Sequence, residues 1–245
     1  MAHDVRVWER PQPGVPYALG GDPAQGLQHG DDSVLQVINC HTGEQVAEVQ
    51  GKIEPLTLAE LAFALGNWYN GALVGIENNQ DGGANRHLFK LGYGNVYFEQ
   101  KDTGKAFDDA TPRLGLWMSA PVKARLVAWV RRLMLAGDLV PRSSELVAQF
   151  EIFVLDGINF QAIRGGHDDL VMAWLIAAEM MRVQMMYEEA RQNLLVPLVN
   201  GKPIDSTSEE EITRDDFKPR SEKIIEKVLE RRRAPLNQST VGDLV

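Results

Sequence analysis

Apolar and polar positions divide this chain into short strands and longer helices. YALGGD, SVLQVINC and EQVAEVQG are short and apolar-rich, and the last two are joined by HTGE, whose Thr-Gly reads as a tight turn. They predict an antiparallel meander. LTLAELAFALGNWYN then carries apolar side chains at helical spacing, with Thr57 three residues before Glu60, as in a capping box, and Gly71 at its end. ALVGIE is almost continuously apolar up to its terminal acid, the pattern of a strand buried on both faces in mid-sheet. Gly82 and Gly83 precede a short helix in ANRHLFKLG, and NVYFEQ reads as another strand. This alternation of strand and helix predicts parallel pairing through right-handed crossovers.

Residues 99–118 are polar, broken by Gly and Pro, and long for a connector, which predicts a functional or mobile loop. SAPVKARLVAWVRRLMLAG follows as a helix, with Ser119 as N-cap, Pro121 in its first turn and Gly137 past its end. FEIFVLDG and NFQAIRGG read as two strand segments or a small hairpin, and HDDLVMAWLIAAEMMRVQMMYEEA as a long helix packed last. After Ala190 turn formers and mixed charges take over, so residues 1–190 are expected to form one domain and residues 191–245 a linker and flexible tail. Within the tail, EKIIEKVLERRR has the pattern of one short amphipathic helix whose apolar face, Ile224, Ile225, Val228 and Leu229, would want a partner surface.

The chain has 245 residues, 44% hydrophobic and 24% charged, enough to bury a core in a single domain. No apolar run approaches the roughly 18 residues that would cross a bilayer, and MAHDVRVWERPQPG lacks the apolar stretch of a secretory signal, so the expectation is a cytosolic protein without a membrane partner. The one cysteine, Cys40, has no intrachain partner, which excludes a disulfide within the chain and a cysteine zinc site, and its apolar setting reads as buried strand. The formal charge of −9 looks wrong for a nucleic-acid binder. From Ala190 onward, however, ten basic side chains balance ten acidic ones, so the whole excess lies in residues 1–189. Clustered metal ligands explain part of it, and bound dications would cancel it locally. What remains predicts weak, salt-sensitive DNA binding, with the grip supplied by a partner or another domain.

The candidate chemistry is acidic. Asp22 ends the strand YALGGD, Glu77 ends ALVGIE, and Asp168 and Asp169 open the long helix. Hard divalent cations take oxygen ligands, and phosphodiester cleavage by two ions needs them about 3.5–4 Å apart, so these carboxylates, if gathered, make a Mg²⁺ or Mn²⁺ site. Strand ends suit such a site because the loops of a sheet open there. Two like charges 4 Å apart repel by about 4 kcal/mol at an effective dielectric of 20, so convergence would itself imply a cation. Each acid also has an ordinary reading. Asp22-Pro23 is a common turn opener, either Asp168 or Asp169 can cap the helix, and His167 can orient a carboxylate, bind metal, contact phosphate or serve structure alone. Glu77 is the hardest to dismiss, because a carboxylate ending a buried strand needs a partner.

Arg86, Lys105, Arg113 and Lys123 are candidate phosphate contacts, or else solvated surface charges. Trp68, Trp129 and Trp174 are core candidates, while Trp117 either stacks on a base or plugs the sheet edge. No phosphate loop for ATP occurs, since TGKA has Gly104 and Lys105 without the hydroxyl residue and the upstream glycine, and GxSxG, HExxH and GxGxxG motifs are missing too.

DPAQG, GIENN, LGLWMSAPVKARLVAWV and GGHDDLVMAWLIA together resemble the nuclease domain of phage large terminases, over roughly residues 8–185. That resemblance implies a ribonuclease H-like α/β fold, a mixed sheet in which an antiparallel meander is followed by parallel strands, flanked by helices. It implies two-metal endonuclease cleavage of double-stranded viral DNA concatemers during packaging, with Asp22, Glu77, Asp168 and Asp169 as catalytic metal ligands. It also implies a packaging ATPase domain that this chain does not contain, a tail that contacts the portal protein, and a virus-encoded protein acting in the host cytoplasm. The rival readings are a junction resolvase or transposase-like nuclease of the same fold, and a non-catalytic portal-docking module.

Overall fold

The computed structural model describes residues 3–78, 82–99, 113–194, 198–199 and 202–203, and the chain forms two compact units, Met1–Met185 and Met186–Val245. In the first, five strands make one sheet: β1 (His3–Val7), β2 (Tyr17–Asp22), β3 (Ser33–Asn39), β4 (Gln45–Gly51) and β5 (Leu73–Ile76). Their order is β1-β4-β3-β2-β5. All neighbours are antiparallel except β2 and β5, which run parallel, with Gly20 opposite Gly75 and Gly21 opposite Ile76. This is the helix-flanked mixed sheet that the sequence predicts. β5 is not a central ladder strand, however. It closes the sheet, and among the described residues its far side carries only single bridges, from Val96 to Val74 and from Leu116 to Glu77. NVYFEQ accordingly contributes just Phe98–Glu99 (β6), paired with Arg113–Leu114 (β7).

Two helices cover one face of the sheet and three pack on the other. On the first lie α1 (Pro55–Trp68) and α2 (Gly83–Lys90), over Leu19, Leu35, Val37, Val49, Val74 and Ile76. On the second lie α3 (Ala120–Ala136), α4 (Ser144–Ile152) and α5 (Asp169–Leu194), over Ala18, Val34, Ile38 and Leu73. Strand residues alternate between the two cores, as a sheet buried on both sides requires.

The helix ends follow their chemistry. Ser119 accepts from the Val122 N–H and Gly137 takes the left-handed conformation after α3, as the spacing predicts. At α1 the expected capping box does not form: Pro55 opens the helix, Glu54 is the N-cap, and Thr57 donates to the Glu54 carboxylate. Proline is well suited to that first position and starts the helix one turn earlier. At the other end Asn70 takes the left-handed conformation and the Gly71 N–H closes on Gly66 O at 2.9 Å, a Schellman arrangement. β1 and α4 escape the hydrophobic pattern: β1 is a short edge strand with Val5 and Val7 half-exposed, and α4 takes the first part of FEIFVLDG. The remainder forms the hairpin β8 (Phe153–Asp156) and β9 (Asn159–Ala162). Trp174 is fully buried and Trp129 partly so, but Trp68 is 43% exposed and lines a shallow apolar groove with Val5 and Leu61. Cys40 is buried just past β3.

α5 departs from the expectation that no segment has the length and apolarity of a membrane span. Asp169–Ala190 reaches a mean hydropathy of 1.2, yet 72% of that window is buried inside the protein, so it is the core helix here. The helix reaches Leu194, and in the second unit β10 (Leu198–Val199) pairs with β11 (Lys202–Pro203). The tail segment with Ile224, Ile225, Val228 and Leu229 lies outside the described residues.

α5 lies on β2 backbone to backbone. A Cβ on Gly20 would fall against Ala173 O and Ala177 N, and within 2.6 Å of Ala177 Cα. At the neighbouring Gly75 a Cβ would instead meet the side chain of Met180, an unbranched thioether that can change rotamer. Gly20→Ala is therefore expected to destabilise by about 3 kcal/mol or more and Gly75→Ala by less than about 1.5 kcal/mol, as read from urea unfolding.

Candidate functional site

Asp22 is the last residue of β2 and Glu77 directly follows β5. Because those strands are parallel neighbours, both acids leave the sheet at the same end; the Glu77 N–H donates to Gly21 O at 2.8 Å, and the two carboxyl groups hydrogen-bond to each other. The contact of α5 with Gly20 brings the start of that helix to the same edge, so that the charges of Asp168 and Asp169 both disfavour ionisation of Asp22. The four acids thus come together from three elements.

Asp169 is 6% exposed, and its Oδ2 accepts the Asp32 N–H at 3.0 Å. The Asp168 carboxylate accepts the Ala162 N–H at 3.1 Å from the base of the β8–β9 hairpin. Gln149 of α4 supplies the helix cap, its Oε1 accepting the Leu170 N–H at 2.9 Å and the Val171 N–H at 3.4 Å. With the cap made by an amide, the two carboxylates face other groups.

Burial pushes the Asp22 carboxyl well above the ordinary carboxylate range, and its hydrogen bond with Glu77 and the charges of Glu77, Asp169 and Asp168 push the same way. Burial likewise raises Asp169, to about 6; the Asp32 N–H and His167 oppose that shift, while Asp31 and Asp168 add to it. A protonated Asp22 hydrogen-bonded to Glu77 lowers the repulsion of the pair without a cation.

Sequence reasoning missed Asp31 and Asp32. They stand where β3 begins, and in an antiparallel pair that is beside the end of β2, so the acids in HGDDS were a readable signal. His167 Nδ1 lies 3.6 Å from Asp31 and 3.9 Å from Asp169, and these three residues offer ligand atoms within 4.8 Å of one another. Asp32 instead pairs with Lys52 at 2.7 Å. The donor set is oxygen-rich with one imidazole, which fits a hard or borderline divalent cation and not a thiophilic one.

The predicted phosphate contacts are less gathered. Arg86 is exposed on α2, its guanidinium close to Gly82. Arg113 lies 4.9 Å over the Trp117 ring and its charge acts on Glu99, so half-exposed Trp117 holds an arginine at the sheet edge. Lys123 donates to Phe160 O of the hairpin at 3.2 Å. Lys105 lies outside the described residues, as does most of the 99–118 loop.

A five-stranded mixed sheet in which β5 adds in parallel to an antiparallel meander, flanked by helices, is a ribonuclease H-like fold. Solved structures of large terminase nucleases share that fold. The nuclease of the thermophilic phage G20c is 20% identical, with a TM-score of 0.55 over 71% of this chain and 87% of its own. The same nuclease with bound magnesium aligns at 22% identity and 0.55, over 71% and 86%. The large terminase nuclease domain of Thermus phage P74-26 aligns at 23% and 0.54, over 71% and 83%. No protein-family model matches the chain, and no curated protein matches its sequence.

The raised carboxyls of Asp22 and Asp169 fix the sign of a pH effect. Each binds its proton more tightly folded than unfolded, so each contributes stability below the ordinary carboxylate range that is lost as pH rises, for Asp169 through about 6. In chelator, the melting temperature should therefore fall between about pH 5 and pH 7, the D22N/D169N variant should flatten that decline, and Mn²⁺ should restore more stability at the higher pH. A wild-type profile that Mn²⁺ leaves unchanged would count against an ion at this cluster.

Proposed function

We propose that this chain is a divalent-metal-dependent endonuclease that cuts double-stranded DNA during phage genome packaging. The observation that carries this reading is the meeting of Asp22, Glu77, Asp168 and Asp169, from three elements of the fold, at one sheet edge where two of them hold raised carboxyls. The shared fold of large terminase nucleases, one of them with bound magnesium, supports it. Structures of that same nuclease with bound cobalt and with bound zinc support it too, and those ions suit a donor set of carboxylates with one nearby histidine.

In this reading Asp22, Glu77, Asp168 and Asp169 hold two Mg²⁺ or Mn²⁺ ions, with Asp31 and His167 at the margin. Such ions supply an activated water at neutral pH and neutralise charge developing on the phosphate. The protein's own task is to keep its carboxylates fixed. The Asp32 N–H steadies Asp169, the Ala162 N–H steadies Asp168, and Gln149 holds the helix start that carries both. Arg86, Arg113, Lys123 and Lys105 guide the DNA backbone, Lys123 by exchanging Phe160 O for a phosphate oxygen. With a formal charge of −9, the affinity of this piece for DNA is low and salt-sensitive, so productive cutting depends on the packaging ATPase domain, and the portal, to present the substrate.

Supercoiled plasmid incubated with protein and Mn²⁺ should be nicked and linearised, and chelator should stop the reaction. Asp22→Asn should cut at least about a hundredfold more slowly, as expected when several kcal/mol of charge stabilisation is lost. An Asp22→Asn protein that cuts at the wild-type rate refutes the assignment. Strong preference for branched over linear DNA would redirect it to a resolvase.

A further inference from the structure

Asn85 of α2 is 1% exposed and faces the end of β5. Its Nδ2 donates to Ile76 O at 3.2 Å and to Glu77 O at 3.3 Å. Successive carbonyls of a regular strand point to opposite sides, so one nitrogen reaches both only where the chain bends. Asn85 thus grips the bend at which Glu77 leaves the sheet.

The remaining backbone groups of that bend are held too. The Glu77 N–H donates to Gly21 O at 2.8 Å, Leu116 N–H to Ile76 O at 3.0 Å, and Asn78 N–H to Leu116 O at 2.9 Å. Asn78 Nδ2 donates to Leu114 O at 2.8 Å. The segment behind is shaped to admit the amide. Gly115 has φ +77°, and a Cβ there would fall against Ile76 O and lie 2.6 Å from Asn85 Oδ1. Asn85 Oδ1 itself is buried with no hydrogen-bond partner among the described residues. A buried acceptor left unsatisfied is costly, and an apolar side chain at this position would avoid the cost. What the amide offers in exchange is two donors on one atom, which is what two neighbouring carbonyls require.

We propose that Asn85 is a positioning residue for Glu77: by bridging the carbonyls of residues 76 and 77, with Gly115 making room, it sets the direction in which the Glu77 carboxylate meets Asp22. The inference rests on the reading of Glu77 as a divalent-ion ligand. Groups that orient metal ligands change affinity by roughly ten- to a hundredfold when removed, which sets the size of the expected effect.

The test compares Asn85→Leu, Glu77→Gln and Tyr69→Phe with the wild-type chain by calorimetric titration with Mn²⁺, well below each melting temperature. Tyr69→Phe removes a hydroxyl bonded to Glu9 O at 2.7 Å on another part of the domain, and serves as the control for stability loss. Asn85→Leu is expected to weaken Mn²⁺ binding about tenfold or more, while Tyr69→Phe leaves it within about twofold of wild type. Metal-free, the Asn78 amide should exchange faster with solvent in Asn85→Leu than in Tyr69→Phe. If Asn85→Leu does not fold, Asn85→Ala is measured in its place. A folded Asn85 variant with wild-type affinity, or a Tyr69→Phe protein weakened as much, overturns the proposal. Glu77→Gln separates the two ideas. Unchanged affinity in that variant defeats the ligand reading of Glu77, whereas a loss there alongside an unaffected Asn85 variant defeats only the positioning role.

Discussion

The backbone of α5 rests on the backbone of β2 at Gly20, and the site depends on that contact. Asp22 lies two residues further along the strand, and the acids that open the helix lie about one turn before Ala173. Any side chain at position 20 would lift the helix by an ångström or more and carry Asp168 and Asp169 away from Asp22. Tight packing between backbones is thus converted into the spacing of charges. Parallel pairing of β5 with β2 does the same for Glu77, since it fixes which residues leave the sheet side by side.

Those packing forces gather charges that repel. Folding places Asp22, Glu77, Asp168 and Asp169 together because the apolar faces of α5 and of the central strands outweigh the electrostatic cost. The cost is visible in the raised carboxyls of Asp22 and Asp169. Neutral donors hold the cluster steady: the Asp32 and Ala162 N–H groups on the acids, Gln149 on the helix start and Asn85 on the strand end. None of them carries a full positive charge, so the cluster is not neutralised by a fixed cation when its acids ionise. It keeps an attraction for dications that a lysine or arginine at its centre would cancel.

Long-range polar contacts join the edge of the domain in a similar way. Glu48, buried on the α4 side of the sheet, accepts from Gln36, Gln45 and Ser143, and Gln45 in turn accepts the N–H groups of Arg142 and Ser143. This network seats the start of α4, and the same helix presents Gln149 to α5. The position of the acid pair is therefore tied to a polar cluster on strands far from it in the chain.

Sequence alone determined the elements whose signal is local. The meander, the α3 caps at Ser119 and Gly137, the long apolar helix and the acids at Asp22, Glu77, Asp168 and Asp169 could be read because periodicity, turn chemistry and an acid ending an apolar strand are properties of neighbouring residues. Tertiary structure alone decided the place of β5 at the end of the sheet, the addition of β1, the half-exposed setting of Trp68 and the contacts of Asp31, Gln149 and Asn85. These depend on partners far apart in the chain, such as Gln149 with Leu170 or Asp31 with His167. A side chain's local pattern says whether it is buried or capping. Which distant carbonyl, amide or carboxylate it faces is fixed only when the sheet and its helices pack.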